Sequence, residues 1–84
     1  MIKIVYFAWV RERVGKPEEM LTPPAFVATV DDLINWLKSR GEEYAYAFEN
    51  GSLIRAAIDK AHVKHETAIA GATEIAFFPP MTGG

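Results

Sequence analysis

The run Pro79-Pro80-Met81-Thr82-Gly83-Gly84 holds the residues whose types and spacing read most directly as chemistry. A carboxylate behind two glycines is anionic at neutral pH, because an α-carboxyl group titrates near about 3.5. It resists nucleophiles until it becomes a mixed anhydride with a phosphate. Adenylation makes that anhydride, and the acyl group can then pass to sulfur or nitrogen. Two residues without Cβ enter a channel too narrow for side chains and reach backbone angles closed to other residues. From Pro80 to Gly84 the extended chain reaches at most about 17 Å. The sequence offers no ATP site of its own, so an activating partner is implied, and the reactive residue is Gly84.

A reactive tip needs a rigid base. Glu74-Ile75-Ala76-Phe77-Phe78 is a β-branched and aromatic run that predicts a buried strand. Pro79 and Pro80 stop it, since proline lacks the N–H that a sheet ladder needs. At the other end of the chain, Ile2 to Ala8 predicts a central strand. Trp9 to Val14 reads as a short turn or helical piece, closed by Gly15-Lys16-Pro17. Glu18 to Thr22 returns as an antiparallel strand until Pro23-Pro24.

The clearest helix follows. Thr29 is an N-cap, Asp31 and Asp32 suit the positive helix end, and Val30, Leu33, Ile34 and Leu37 form one apolar stripe. Arg40 is expected to close its last turn and Gly41 to take a left-handed cap. Glu43 to Glu49 reads as a short helix or irregular turn, and Asn50-Gly51-Ser52 as a turn. Leu53 to Ile58 predicts a strand, His62-Val63 a short one, and Ala70-Gly71-Ala72 the turn before the last. The fold class is therefore α+β, a mixed sheet crossed by one main helix in the β-grasp, or ubiquitin-like, manner. Residues 1–80 would form the domain and residues 81–84 an extended, flexible, reactive Gly-Gly tail. The first and last strands would lie side by side in the middle, so that the tail leaves a central strand.

Composition narrows the function classes. The chain has 84 residues, enough for one domain with one modest core. Half of them are hydrophobic, which argues against disorder. Net charge is −2 with the basic residues scattered, so a nucleic-acid partner is not expected. No apolar run approaches the length of a membrane span, and a cytoplasmic location is expected. There is no cysteine, which removes disulfides, thiolate catalysis and cysteine-bound metal. Sulfur carried by such a chain would have to sit on the terminal carbonyl.

Other side chains are weighed against plainer roles. Neighbours on a strand face opposite ways, so Phe77 and Phe78 cannot share one core, and Tyr6 and Phe7 raise the same point. Some aromatic surface is left over, which marks a partner site, and Phe7 and Phe78 are the candidates. Arg11 is a candidate for an acidic partner surface, although Arg11 and Arg13 around Glu12 also read as a solvated turn. His62 and His65 have a His-x-x-His spacing, but on a strand they face opposite sides, so no metal site is expected. Trp36 reads as core rim, and Glu18-Glu19 and Glu42-Glu43 as solvated turns with no acid–base pair.

The opening Met1-Ile2-Lys3-Ile4-Val5-Tyr6-Phe7-Ala8-Trp9-Val10-Arg11-Glu12-Arg13-Val14-Gly15 and the ending Phe77-Phe78-Pro79-Pro80-Met81-Thr82-Gly83-Gly84 resemble the small, sulfur-carrying subunits of molybdopterin synthase, the MoaD-type, ubiquitin-like family. That resemblance implies a non-catalytic carrier without bound cofactor or metal. Gly84 would be adenylated by a ubiquitin-activating-like adenylyltransferase using Mg-ATP, then converted to a thiocarboxylate with sulfur from a donor protein. The tail would insert into the large catalytic subunit, within a heterotetramer, and deliver sulfur to build the dithiolene of molybdopterin. Phe7, Arg11, Phe78, Pro79, Pro80, Met81, Thr82 and Gly83 would form the partner-binding set. Asp59 stands where such sequences often have Asn, and His62 near a usually apolar position. The alternatives are a sulfur carrier for thiamine or tRNA thiolation, and a ubiquitin-like protein modifier.

Overall fold

The computed structural model describes residues 1–80. The elements follow in the order β1 (Ile2–Tyr6), α1 (Ala8–Val14), β2 (Glu18–Leu21), α2 (Val30–Lys38), α3 (Glu42–Ala47), a 3-10 turn (Gly51–Leu53), β3 (Arg55–Ile58), β4 (Ala61–Val63) and β5 (Glu74–Phe78). The five strands form one mixed sheet in the order β2-β1-β5-β3-β4. β1 and β5 run parallel in the interior, and the other pairings are antiparallel. This is the β-grasp arrangement, with β5 as the middle strand of the five.

Strand alternation decides which side chains meet the helices. Ile4 and Tyr6 of β1, Ile75 and Phe77 of β5, and Ala56 of β3 point into one core cluster. Val30, Leu33, Ile34 and Leu37 of α2 fill its centre, each at most 2 % exposed. α2 starts where the sequence predicts: Thr29 Oγ1 accepts from the Asp32 N–H at 3.1 Å, and Asp32 Oδ2 accepts from the Thr29 N–H at 3.1 Å. This capping box satisfies N–H groups that the first turn leaves without partners. The Ala28 N–H, which also donates to Asp32 Oδ2, and the Thr29 N–H hold the Asp32 carboxyl below the usual range.

One main helix does not cover the sheet alone. Val10 and Val14 of α1, with Tyr44, Ala47 and Phe48 of α3 and its end, complete the same cluster. A domain this small needs that extra apolar burial, since its net stability is a small difference between large terms. The far end of α2 also differs from the sequence reading. The helix stops at Lys38, with Ser39 as a right-handed cap whose hydroxyl donates to the Trp36 carbonyl at 2.6 Å. Gly41 is extended (φ 163°) and instead precedes α3, while Arg40 turns back to Glu19. The left-handed glycine cap is found at Gly15 (φ 90°), which ends α1 and bonds back to the Arg11 carbonyl.

Asp59 and Lys60 make the two-residue turn between β3 and β4, both with positive φ (47° and 73°). Such a turn matches the twist of a hairpin, and Asp tolerates the left-handed region better than most residues. Asp59 also accepts from the Thr73 hydroxyl, at 2.5 Å, and from the Glu74 N–H, at 2.9 Å. It therefore pins the start of β5, and these bonds hold its carboxyl below the usual range.

Candidate functional site

β5 carries the chain to the root of the tail, and its two last residues face opposite ways. Phe77 is fully buried and meets Phe48 edge-to-face at 5.2 Å. Phe78 lies on the other face of the sheet and is half-buried. Arg55 is its partner on β3, and the His62 ring lies over it at 5.1 Å, tilted by 49°. Pro79 and Pro80 continue, both half-buried. Beside them on the same face, Ala76 pairs with Ala57, and Val5 and His62 extend the row. The two alanines lie outside the helix-side cluster.

Phe7 departs from its expected place on the first strand. β1 ends at Tyr6, and Phe7 becomes the N-cap of α1, with a side chain 48 % exposed. Its N–H donates to the Phe77 carbonyl at 3.0 Å, so it still sits against the end of β5. Ala8 follows with φ 52°, which turns the chain out of the sheet and into the helix. A left-handed alanine costs about 1 kcal/mol, and the chain accepts it where Phe7 must be left outward. Arg11 is one helical turn on: its N–H donates to the Phe7 carbonyl at 3.3 Å, and its side chain is exposed. It lines a shallow depression with Ala8, Trp9 and Glu12. Phe7, Phe78, Pro79 and Pro80 thus lie at the end of β5, with Arg11 one helical turn beyond Phe7. Met81, Thr82, Gly83 and Gly84 lie outside the described residues.

Two features of the surroundings were not visible in the sequence. Arg13, read as part of a solvated turn, lies between the rings of Trp9 (4.5 Å) and Tyr46 (4.1 Å) and pairs with Glu49 at 3.4 Å. It ties α1, and with it Phe7 and Arg11, to α3. Glu19, also read as a solvated turn, is on β2 with its side chain 14 % exposed. Tyr44 and Tyr6 donate to its Oε2 at 2.6 and 2.8 Å, and Arg40 and Lys16 approach Oε1 at 3.3 and 3.5 Å. Burial pushes the Glu19 carboxyl up, but the hydrogen bonds outweigh it and the net displacement is downward. Burial, reinforced by the Glu19 hydrogen bond, pushes the Tyr6 phenol well above its ordinary value. It stays a donor at all working pH. The alternation of β2, which puts Glu19 opposite Ile4 on the core side, is the signal that could have revealed this.

The histidines do separate things. His62 covers Phe78, and His65 uses Nε2 toward the Ile54 carbonyl at 2.6 Å. That contact requires the proton on Nε2, because a carbonyl only accepts. Among the described residues no group of three or more His, Asp or Glu side chains could hold a metal. No helix among them is long and apolar enough to cross a membrane.

The sheet order defines a ubiquitin-like, β-grasp domain. SAMP1 of Haloferax volcanii shares this fold, with a TM-score of 0.72 over 99 % of this chain and 98 % of that one at 23 % identity. The ThiS family model matches residues 4–84, and the chain belongs to that family. It is 37 % identical to the molybdopterin synthase sulfur carrier subunit of Escherichia coli K12 and 36 % identical to that of Haemophilus influenzae. Both alignments span the full length of both proteins.

Proposed function

We propose that this chain is the sulfur carrier subunit of a molybdopterin synthase, with Gly84 as the carrying residue. The observation that carries the reading is the end-to-end identity, 37 %, with a protein named for that role. The fold supports it mechanically: β5 is held by a neighbour on each side, so the root of the tail is fixed. The domain acts as a handle rather than as a catalyst. The Gly84 carboxylate attacks the α-phosphorus of Mg-ATP on a ubiquitin-activating-like adenylyltransferase, with loss of pyrophosphate. Sulfide-level sulfur released by a donor protein then attacks the acyl carbonyl and displaces AMP, losing a proton, and the tail becomes a thiocarboxylate.

The face around Phe78 then docks the large subunit, with Phe7 and Arg11 at its margin. Pro79 and Pro80 aim the segment 81–84 at the catalytic pocket, where the thiocarboxylate delivers sulfur to build the dithiolene. Two glycines at the tip fit a pocket that admits no side chain. The experiment is a reconstitution with adenylyltransferase, Mg-ATP and a sulfur donor, followed by intact-mass analysis. A single oxygen-to-sulfur exchange, located on the C-terminal peptide, is expected. The loaded protein and the large subunit should then convert a cyclic pterin precursor to molybdopterin. Loading without that conversion, under conditions where thiamine thiazole or tRNA thiolation proceeds, would assign the carrier to another pathway. Attachment to protein lysines in place of either would make it a modifier.

A further inference from the structure

We propose that the β3–β4 hairpin is a basic docking strip that engages an acidic surface on the large subunit beside the channel taking the tail. This rests on the docking role given above to the Phe78 face, and names the chemistry of the partner surface next to it.

The chain is net acidic, yet residues 55 to 65 carry Arg55, Lys60, His62, Lys64 and His65 against a single carboxylate, Asp59. That carboxylate is occupied by Thr73 and the Glu74 N–H. The ion pairs among the described residues use Lys3, Arg13, Lys16 and Arg40. Arg55, Lys60 and Lys64 are exposed and have no carboxylate partner among the described residues. Arg55, Lys64, His65 and Ser52 line one shallow depression at the edge of this hairpin, with Glu66 as its only acidic member. On the β1–β2 and helix side four of the six cations are in ion pairs among the described residues, with Arg11 and Lys38 outside them, whereas none of the three Arg and Lys residues here is.

Lysines on an edge strand also protect a sheet from extending into another copy, and β4 is an edge. Arg55 does not fit that role. It lies on β3, between β4 and β5, directly across from Phe78. Its side chain shares a face with the aromatic ring and with His62. The charge is therefore continuous with the apolar docking face rather than confined to the edge. Unpaired cations on the rim of an apolar patch steer an oppositely charged partner and fix its register, acting chiefly on the rate of association.

The test is the kinetics of binding between the full-length chain and the large subunit from the same organism, at about 50 and about 500 mM NaCl, below and above the usual screening range. For the unmodified chain the association rate should fall by roughly tenfold or more between the two. The triple variant Arg55→Gln/Lys60→Gln/Lys64→Gln should associate about tenfold more slowly at low salt and lose most of the salt dependence. Its dissociation rate and melting temperature should stay close to those of the parent, which a merely structural role would not leave unchanged. Phe78→Ala, measured in parallel, should instead raise the dissociation rate. If Phe78→Ala weakens binding while the triple variant keeps the parent's salt dependence, the basic strip is refuted and the docking face stands. If neither variant affects binding, the docking face itself falls.

Discussion

Replacing the two adjacent phenylalanines of β5 one at a time separates folding from recognition. Phe77 is 0 % exposed and joined to Phe48 by an edge-to-face contact at 5.2 Å. Phe77→Ala removes a whole ring from the centre of the core, a change that costs about 3–5 kcal/mol. A domain of 84 residues, at roughly 0.05–0.15 kcal/mol per residue, has only about 4–13 kcal/mol in total. The variant should therefore be largely unfolded or melt far below the parent. Phe78 touches the His62 ring on the opposite face and contributes to no part of the helix-side core. Phe78→Ala should cost about 1 kcal/mol in a urea titration, near the centre of the usual range for point changes. Its effect on binding the large subunit should be larger, about 2 kcal/mol or more, the scale of an interface anchor and roughly thirtyfold in Kd. Calorimetric titration of the large subunit, beside urea denaturation, measures both quantities. A Phe78→Ala protein that loses its fold, or one that folds and binds like the parent, refutes the assignment of faces.

The Glu19 cluster predicts acid sensitivity. Its carboxyl is held below the unfolded value, so the stability it contributes is present above about pH 4.3 and is lost as pH falls through its lower folded value. Asp32 and Asp59 shift the same way, so Glu19→Gln should shrink the acid-side loss without abolishing it. It should also lower stability at pH 7 by about 2 kcal/mol, the range for hydrogen bonds to a charged group; an unchanged pH profile from pH 3 to 7 would contradict this. Leu33→Ala or Leu37→Ala, both at 0 % exposure, should each cost about 2–5 kcal/mol in denaturant titrations, and a loss under 1 kcal/mol would show that the stripe is not the core. Arg13→Ala should weaken docking through Phe7 and Arg11 more than Arg13→Lys, because only a planar guanidinium stacks well between Trp9 and Tyr46; equal affinities for the two variants would remove its positioning role.

Wherever one local rule dominated, the fold could be read from residues. β5 was legible to the residue because apolar side chains run from Ile75 to Phe78 and two prolines end them. α2 was legible at its start because Thr29 and Asp32 make a capping box, but not at its end, where Gly41 signals a cap that the chain uses to begin α3. There Ser39 closes the helix through its hydroxyl on the Trp36 carbonyl, and Arg40 reaches Glu19, 21 positions away. The docking face was legible in part. Alternation requires Phe77 and Phe78 to diverge, and only packing tells which goes inside. Phe7 shows the limit of that argument, since it leaves the strand altogether and is aimed by a helix cap and a left-handed alanine. Arg13 and Glu19 escaped because charged residues in a short loop or strand look solvated until the elements opposite them are placed.

The account rests on a free carboxylate at Gly84. The most direct measurement adds one residue beyond Gly84 and follows adenylation, sulfur loading and molybdopterin formation in the reconstituted system, beside a melting curve. The melting temperature should be unchanged, because the core cluster among the described residues ends at Phe77, and all three activities should vanish. Molybdopterin formed at a rate comparable to the parent, with the extra residue still attached, would contradict the account.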